Sequence, residues 1–210
     1  MFVIKNLDFT IDKFNLKIDM LDLSKCKITA VMGPSGSGKT TLFQVLIGIY
    51  QPQSWCWNLN GIQMHELNID QRQLGVVFQK NELFPHLTAA ENIYLIMKAR
   101  NANSKQDQQQ LEKYKTDLKL ENCWQTRAEN LSGGEAQRIS LLRAVMSKPR
   151  VLLLDEPFSA LDSELKSEAR KITADVIKNL NIPTLLVTHD LEDAKSLDAN
   201  ILRLHQGRLV

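Results

Sequence analysis

A glycine-rich segment between two apolar stretches has the composition of a phosphate-binding loop. The segment GPSGSGKT, residues 33–40, matches the pattern G-x-x-x-x-G-K-[ST] at every fixed position, and it lies between a predicted strand and a predicted helix. Glycine allows the backbone to turn tightly and to point its N–H groups inward. Together with the positive end of the helix dipole, these donors would form a concave site for phosphate oxygens.

The side chains of this loop suit separate tasks. Lys39 would bring a positive charge to the β- and γ-phosphates, the Thr40 hydroxyl would coordinate Mg²⁺, and Thr41 would reach the α-phosphate. The predicted phosphate-binding residues are Gly33, Pro34, Ser35, Gly36, Ser37, Gly38, Lys39, Thr40 and Thr41.

A pair of acidic residues would complete such a site. The segment VLLLDE, residues 151–156, places Asp155 and Glu156 at the carboxyl end of a buried strand, where ligands bind in open α/β sheets. We expect Asp155 to hold the magnesium, directly or through water. Glu156 would polarise a water molecule for attack on the γ-phosphate.

The composition is that of an ordinary globular protein. Of the 210 residues, 43% are apolar and 24% are charged, and 26 basic against 24 acidic side chains give a formal net charge of +2. This small basic excess does not favour a nucleic-acid-binding protein. The three cysteines lack zinc-binding spacing, so reduced thiols in a cytosolic protein are expected. No apolar stretch reaches the roughly 20 residues that a bilayer requires.

Strands alternate with helices along the chain. The hydrophobic pattern predicts strands at 2–9, 14–20, 27–32, 54–62, 74–79, 151–156 and 184–190, and a hairpin at 199–210. Helices are predicted from Thr40 to Ile49, with Leu42, Val45, Leu46 and Ile49 on one face, and at 163–180 and 191–198. Apolar strands buried on both faces indicate an α/β fold with a mostly parallel sheet.

The helical block at 81–146 is too long for one crossover connection, which suggests an inserted helical subdomain. The prediction is one domain over residues 1–210, with a core at about 1–80 and 147–210 and the subdomain at about 81–146. Within that block, the polar patch at 101–110 is expected to be a helix start or a solvated loop.

Four further motifs accompany the phosphate loop and the acidic strand. The segment LSGGEAQR fills residues 131–138, Gln79 follows an apolar strand, SALD follows Glu156 at 159–162, and His189 ends the segment TLLVTH. With these elements in this order, the chain resembles the nucleotide-binding subunits of ABC transporters over nearly its full length. The resemblance implies a P-loop NTPase fold with a mostly parallel central sheet, an N-terminal antiparallel β region and an inserted helical subdomain.

The resemblance also implies a composite site, in which two such domains close head to tail around ATP and Mg²⁺. Gln79 would contact the magnesium and the attacking water, and His189 would contact the γ-phosphate. The signature residues that would grip the ATP of the partner domain are Ser132, Gly133, Gly134 and Glu135. The residues that would link the two sites across the dimer are Ser159, Ala160, Leu161 and Asp162.

Two positions depart from the usual pattern of the family. Glu135 stands where the family most often has glutamine, and we expect activity to be retained. The family usually stacks an aromatic ring on adenine from an early strand. Here Ile11 falls near that position, with Phe9 and Phe14 close by, and all three stay candidates.

The segment KNELFPHLTAAENI, residues 80–93, resembles the surface on which a transmembrane partner rests. Leu83, Phe84, Pro85 and Leu87 form an apolar patch suited to docking, although Phe84 and Leu87 could instead fill the subdomain core. The resemblance predicts an ATP-hydrolysing subunit that pairs as a homodimer and powers solute transport through permease subunits. A solute-binding protein could be a further partner, and the chain would lie on the cytoplasmic face of the membrane.

The segment LFPHLT resembles the corresponding segment of bacterial importers for thiamine, polyamines or inorganic anions, so uptake is favoured. Export, or a non-transport ABC ATPase acting on protein complexes or nucleic acid, is the alternative. Chromosome and DNA-repair relatives are disfavoured because the segment from Lys80 to Asn130 is too short for a coiled coil. Ribosome-associated relatives would need two phosphate loops, and this chain has one.

Overall fold

The computed structural model describes residues 2–24, 26–180 and 182–210, with the backbone alone described at Glu164. In chain order the strands are Phe2–Ile11 (β1), Phe14–Asp22 (β2), Ile28–Met32 (β3), Cys56–Leu59 (β4), Ile62–Gln63 (β5), Leu74–Val77 (β6), Val151–Asp155 (β7), Thr184–Thr188 (β8), Asn200–His205 (β9) and Arg208–Leu209 (β10). The helices are Lys39–Ile47 (α1), Ala89–Ala99 (α2), Lys105–Asp117 (α3), Gly133–Met146 (α4), Ser163–Asn179 (α5) and Leu191–Ser196 (α6).

The strands form two sheets. The first has the order β2-β1-β4-β5 and is antiparallel throughout. The second has the order β10-β9-β3-β8-β7-β6, in which all pairs from β9 to β6 are parallel and β10 runs antiparallel to β9. The predicted α/β fold, with a mostly parallel central sheet and an N-terminal antiparallel region, is confirmed.

The central sheet separates two hydrophobic clusters. Along β7, Leu152 and Leu154 belong to the cluster shared with helices α2 to α5, whereas Val151 and Leu153 belong to the cluster shared with α1 and the N-terminal sheet. All four side chains are buried because both faces of the sheet are covered. The unbroken apolar run of β7 is therefore explained by burial on both faces of the sheet.

The segment at 81–146 holds three helices, each of which begins with a capping box. The N-caps are Thr88, Ser104 and Ser132, and a carboxylate three residues later bonds back to each. The polar patch at 101–110 is the loop before α3 and its first turns, as predicted. The apolar side chains of these helices join the cluster on one face of the central sheet. Treating this segment as a subdomain stays an interpretation.

Helix α1 is shorter than the sequence pattern predicts. It ends at Ile47, because Gly48 adopts a left-handed conformation at φ 103° and caps it. Ile49 therefore lies outside the helix with 55% of its surface exposed, and its predicted place on the buried face is wrong. The predicted strand at 54–62 is also shorter, because β4 and β5 form a hairpin whose turn is Asn60-Gly61. Among the described residues, no helix combines the length and the apolarity needed to cross a membrane.

Candidate functional site

The predicted phosphate-binding and catalytic residues meet at one edge of the central sheet. Strands β3, β8, β7 and β6 are parallel neighbours, so their carboxyl ends face the same side. The loop after β3 contains the phosphate motif, β7 ends at Asp155, β8 ends just before His189, and β6 ends two residues before Gln79. This edge is where ligands bind in open α/β sheets.

The loop between β3 and α1 has the backbone geometry of a phosphate cradle. Gly36 and Gly38 have φ angles of 78° and 104°, which side chains disfavour, and Gly38 is the N-cap of α1. Lys39 is buried, and its Nζ donates to the carbonyl oxygens of Gly33 at 2.8 Å and Pro34 at 3.0 Å. The charge is thus already held inside the loop before any phosphate is bound.

The hairpin of β9 and β10 supports this loop from behind. The backbone N–H of Gly207 donates to the carbonyl oxygen of Ser37 at 2.9 Å. A side chain at Gly33 would collide with the carbonyl oxygen of Leu204 in β9. The phosphate loop is therefore fixed by residues that come much later in the chain.

In front of the loop lies a cleft of about 660 Å³, a volume typical of small-molecule sites. The lining residues are Ile11, Asp12, Lys13, Phe14, Ser35, Gly36, Gly38, Lys39, Thr40, Thr41 and Glu156. Asp12 and Lys13, which form the turn between β1 and β2, are not among the residues expected from the sequence. A turn of ordinary polar residues gives no local signal that it will face a phosphate loop.

Two of the three candidates for an adenine contact line the cleft. Ile11 and Phe14 flank the β1–β2 turn, and the Phe14 ring lies against Gly38. Phe9 instead stacks on Tyr50, with ring centroids 5.0 Å apart, and packs against the hydrophobic cluster of the N-terminal sheet. The structure therefore places Ile11 and Phe14, but not Phe9, beside the cleft.

The two acidic residues differ in environment. Burial raises the pKa of Asp155 to about 6, with a further contribution from the charge of Glu156, while Lys39 acts in the opposite direction. Glu156 adopts a left-handed backbone conformation at φ 43°, and its N–H donates to the carbonyl oxygen of Val187 at 2.8 Å. Left-handed residues other than glycine cluster at functional sites because they re-aim a side chain.

Two polar side chains contact the Glu156 carboxylate, and a third bonds the Glu156 backbone. His189 Nδ1 lies 3.1 Å from Glu156 Oε1, and Gln79 Nε2 lies 3.5 Å from Glu156 Oε2. Gln79 Nε2 also donates to Ser159 Oγ at 3.3 Å, and Ser159 Oγ donates to the Glu156 carbonyl oxygen at 2.9 Å. The predicted catalytic residues are thus brought together, and Ser159 joins them.

The segment 159–162 has a mixed environment. Ala160 is exposed, Leu161 is buried and lies beside Gly133, and Asp162 accepts a hydrogen bond from the N–H of Leu165 at 3.0 Å. Asp162 is therefore the N-cap of α5 in this structure. Its predicted role in linking two sites across a dimer stays a prediction.

The residues present suit a magnesium ion that is shared with a phosphate. Thr40 is exposed to the cleft, and the Asp155 carboxylate has a raised pKa that a nearby cation would lower. No group of three His, Cys, Asp or Glu side chains in the described ranges could hold a metal by itself. Magnesium usually takes one or two protein ligands and completes its shell with phosphate and water.

The signature segment forms the N-terminus of α4. The Ser132 side chain accepts from the N–H of Glu135 at 3.3 Å, and Glu135 Oε2 accepts from the N–H and Oγ of Ser132 at 2.8 and 2.7 Å. These hydrogen bonds from Ser132 lower the pKa of Glu135, so its carboxylate is charged at neutral pH. Glu135 thus caps its own helix.

The two signature glycines are not required by packing within the chain. A side chain at Gly133 or Gly134 would meet its nearest neighbours at 3.4 Å, an ordinary contact distance. Neither Ser132 nor the two glycines line the cleft at the phosphate loop. Ser132 and Gly133 are exposed at this helix N-terminus, where an anion from outside the chain would have to replace the Glu135 carboxylate on Ser132.

A second cleft, of about 390 Å³, lies beside the helical segment. Its lining residues are Leu74, Val76, Phe84, Asn92, Leu95, Ile96, Ala99, Arg143, Ala144 and Ser147, and we call it the helical groove. Phe84 is 44% exposed and lines the groove, whereas Leu83 packs against the core and Leu87 is half-buried. Only Phe84 of the predicted docking patch therefore reaches this groove.

Together the fold and the site define a P-loop nucleotide-binding unit whose signature segment lies at the start of a separate helix. The profile that describes ABC transporters matches residues 16–159. The chain belongs to the ABC transporter family, and it is an ATP-binding cassette, a P-loop ATPase.

The chain is similar to import ATP-binding proteins. It is 34% identical over 190 residues to the probable sulfate/thiosulfate import ATP-binding protein CysA of Chlorella vulgaris, covering 90% of this chain and 80% of that one. It is 38% identical over 187 residues to the Fe(3+) ions import ATP-binding protein FbpC of Pseudomonas fluorescens, covering 87% and 53%. For the spermidine/putrescine import ATP-binding protein PotA of Thermotoga maritima the identity is 35% over 208 residues, covering 99% and 56%. The chain thus spans about half the length of the last two.

The fold is also similar to solved cassettes. A dimeric ATP-binding cassette in a post-hydrolysis state, bound to ADP and Pi, superposes with a TM-score of 0.79 at 26% identity, covering 100% of this chain and 96% of that one. A dimeric bacterial ABC transporter cassette superposes with a TM-score of 0.80 and the same coverage.

Proposed function

We propose that the chain is the ATP-hydrolysing subunit of a membrane uptake system, and that it acts as a head-to-tail homodimer. One observation carries this proposal: the catalytic side chains lie at the phosphate loop, while the signature segment at the start of α4 is exposed outside that cleft. A second copy would bring its signature helix to this cleft. Uptake is favoured because the relatives described above are named as import proteins.

Within one subunit the residues have distinct tasks. Lys39 leaves the carbonyl oxygens of its own loop and pairs with phosphate oxygens, which the loop N–H groups also hold. Glu156 accepts a proton from the attacking water, and His189 at 3.1 Å holds the carboxylate and the γ-phosphate in register. Gln79 orients the same water from the other side.

Thr40, Asp155 and Gln79 would hold Mg²⁺, which neutralises charge that develops on the phosphates. The adenine would rest between Ile11 and Phe14, which line the cleft beside the β1–β2 turn. Aromatic and aliphatic side chains can pack against the flat face of adenine without forming hydrogen bonds to it.

Across the dimer, Ser132, Gly133 and Gly134 would bind the γ-phosphate held by the partner. Ser159, Ala160, Leu161 and Asp162 would lie along the same interface, because Leu161 already contacts the start of α4. ATP would then join the two subunits until hydrolysis removes the shared phosphate.

The helical groove is the proposed contact for permease subunits. It is lined mainly by apolar side chains, and the exposed Phe84 and Leu95 are among them. An exposed apolar patch of this kind marks a protein interaction surface. Docking there would hold the chain at the cytoplasmic face of the membrane, and a solute-binding protein could deliver cargo to the permease.

A complementation experiment tests the composite site. Lys39→Ala should lose nucleotide binding, and Ser132→Arg should bind ATP yet fail to dimerise with another copy of itself. Each variant alone should therefore hydrolyse ATP at background rate.

A mixture of the two can assemble one dimer site from an intact phosphate loop and an intact signature. We expect an equimolar mixture to regain a substantial part of the wild-type rate, about a quarter to a half. A mixture as inactive as its parts, or a Ser132→Arg variant with full activity, would contradict the head-to-tail arrangement.

A further inference from the structure

Two side chains of α4 hold the segment that follows Gln79. Arg143 Nη1 donates to the carbonyl oxygen of Glu82 at 2.7 Å, and Nη2 donates to that of Asn81 at 3.3 Å. Ser140 Oγ donates to the same Asn81 oxygen at 3.0 Å. Helix α4 is therefore attached at its C-terminal half to a loop whose first residue reaches the catalytic glutamate.

These bonds are the main polar anchors of that loop. Over residues 80–83, every hydrogen bond to another element in the described part of the chain comes from Arg143 or Ser140. The loop also contains a left-handed residue, Glu82, at φ 45°. A segment in a sparsely populated conformation persists only when its surroundings hold it there.

Holding the loop with Arg143 carries a desolvation cost, because its charged guanidinium is partly buried. Burial lowers the pKa of its guanidinium, and the nearby charge of Glu82 only partly opposes this. Among the described residues no carboxylate forms an ion pair with it, so backbone carbonyl oxygens are its named partners. A planar guanidinium can serve two carbonyl oxygens at once, which a lysine ammonium does less well.

We propose that Arg143 is a positioning residue for ATP hydrolysis, acting through Gln79. It fixes the backbone after Gln79, so that the amide reaches Glu156 and Ser159 at 3.5 and 3.3 Å. Because Arg143 lies on the signature helix, it also links the residue that orients water in one site to the helix offered to the other site. This inference rests on the proposed function.

The same side chain lines the helical groove beside Phe84 and Ala144. A permease segment seated there would contact Arg143 directly. The occupancy of the groove, the position of Gln79 and the orientation of α4 would then depend on one guanidinium.

The test compares Arg143→Ala, Arg143→Lys and Ser140→Ala by steady-state ATP hydrolysis, ATP affinity and thermal melting. Arg100→Ala is the matched control, because Arg100 also donates to a backbone carbonyl oxygen, that of Asp70 at 3.1 Å, away from the site. We expect Arg143→Ala to lower kcat about 10- to 100-fold while ATP affinity stays within about twofold. Arg143→Lys should recover part of kcat, Ser140→Ala should lose less than Arg143→Ala, and Arg100→Ala should match the wild type.

A double-mutant cycle separates positioning from general damage. If Arg143 acts through Gln79, adding Arg143→Ala to Gln79→Ala should lower kcat by no more than about twofold further. Multiplicative losses, or a kcat that falls only in proportion to the folded fraction, would overturn the proposal. If Arg143→Ala does not fold, the lysine and Ser140 variants decide by the same cycle.

The ATPase measurements distinguish a failure of the proposed function from a failure of the role proposed for Arg143. A wild-type chain without ATPase activity would contradict the function, whereas an active wild type with an unaffected Arg143→Ala variant would contradict this inference alone.

Discussion

Among single residues, Glu135 has the least expected environment. Its carboxylate accepts hydrogen bonds from the N–H and the hydroxyl of Ser132. In the proposed dimer, both of these donors would instead bind a phosphate held by the partner. Because hydrogen bonds from Ser132 lower its pKa, the side chain keeps its negative charge throughout the neutral range. In the proposed dimer it would therefore compete with the incoming phosphate and repel it, rather than help to grip it as the resemblance implied.

Replacing Glu135 by glutamine should strengthen ATP-dependent dimerisation. The amide keeps an acceptor for the helix cap but removes the charge, so the ATP concentration at half-dimerisation should fall by about two- to tenfold. Sedimentation of the variant in a Glu156→Gln background, where hydrolysis is blocked, measures this concentration. Unchanged or weaker dimerisation would show that the charge at Glu135 does not oppose the partner's phosphate.

Asp155 gives a prediction about pH. Its pKa is about 6 in the folded chain, because of burial first and the charge of Glu156 second, and it is ordinary when unfolded. The folded state therefore binds this proton more tightly, and the contribution of Asp155 to stability falls as pH rises from about 4 to about 6. Above that range the loss is complete and constant.

Urea unfolding of the nucleotide-free chain at several pH values checks this, with Asp155→Asn as the comparison. The difference in unfolding free energy between variant and wild type should grow from pH 4 to pH 6 and then level off. A difference that does not vary with pH would place the pKa of Asp155 near its ordinary value.

Most site residues could be predicted from the sequence, because short local patterns mark them. Gly33 to Thr41 are contiguous, and Asp155, Glu156, Gln79 and His189 each follow an apolar strand. Arg143 could not be found, because its partners are backbone carbonyl oxygens about 60 residues away, which leave no side-chain pattern. Asp12 and Lys13 were missed because a turn of ordinary polar residues carries no local sign that it will face the phosphate loop.

At the scale of elements, the C-terminal turn of α1 is stabilised by Arg72, a residue outside the helix. Arg72 is buried, and its Nη1 donates to the carbonyl oxygens of Val45 at 3.2 Å and Leu46 at 2.8 Å in the last turn of α1. Its guanidinium also lies 5.7 Å from the centre of the Trp57 ring. A cation at a helix C-terminus complements the dipole and supplies donors to orphan carbonyl groups.

We expect Arg72→Ala to destabilise the fold by about 2–4 kcal/mol, because buried carbonyl oxygens lose their donors. Arg72→Lys should cost less, since an ammonium can still reach one of them. Chemical denaturation measures both, with Arg100→Ala as a surface control. A loss below about 0.5 kcal/mol for Arg72→Ala would mean that other donors replace it.

The order of the elements was predictable, and their ends were less so. Alternating and unbroken apolar patterns identified each major strand and helix, because burial on one or both faces imposes those patterns. The end of α1 was misplaced, since Ile49 continues the helical period past Gly48, and the backbone of Gly48 overrides that period. Capping geometry, not hydrophobic spacing, decides where such a helix stops.

At the scale of the whole molecule, the two faces of the central sheet support different parts of the proposed cycle. The cluster on one face includes α1 and the N-terminal sheet, which hold the nucleotide cleft. The cluster on the other face includes α2 to α4, which contain the signature and the helical groove. The sequence predicted one mostly parallel sheet covered on both faces, but not which helices lie on which face.

The hairpin behind the phosphate loop has a consequence for how the protein is made. Ser37 receives its backbone hydrogen bond from Gly207, and Gly33 lies against Leu204, so early and late parts of the chain complete one another. A ribosome exposes the loop long before it exposes the hairpin. A nascent polypeptide should therefore bind ATP firmly only after residues 204–207 have left the ribosome, which would keep shorter nascent chains from engaging nucleotide or one another.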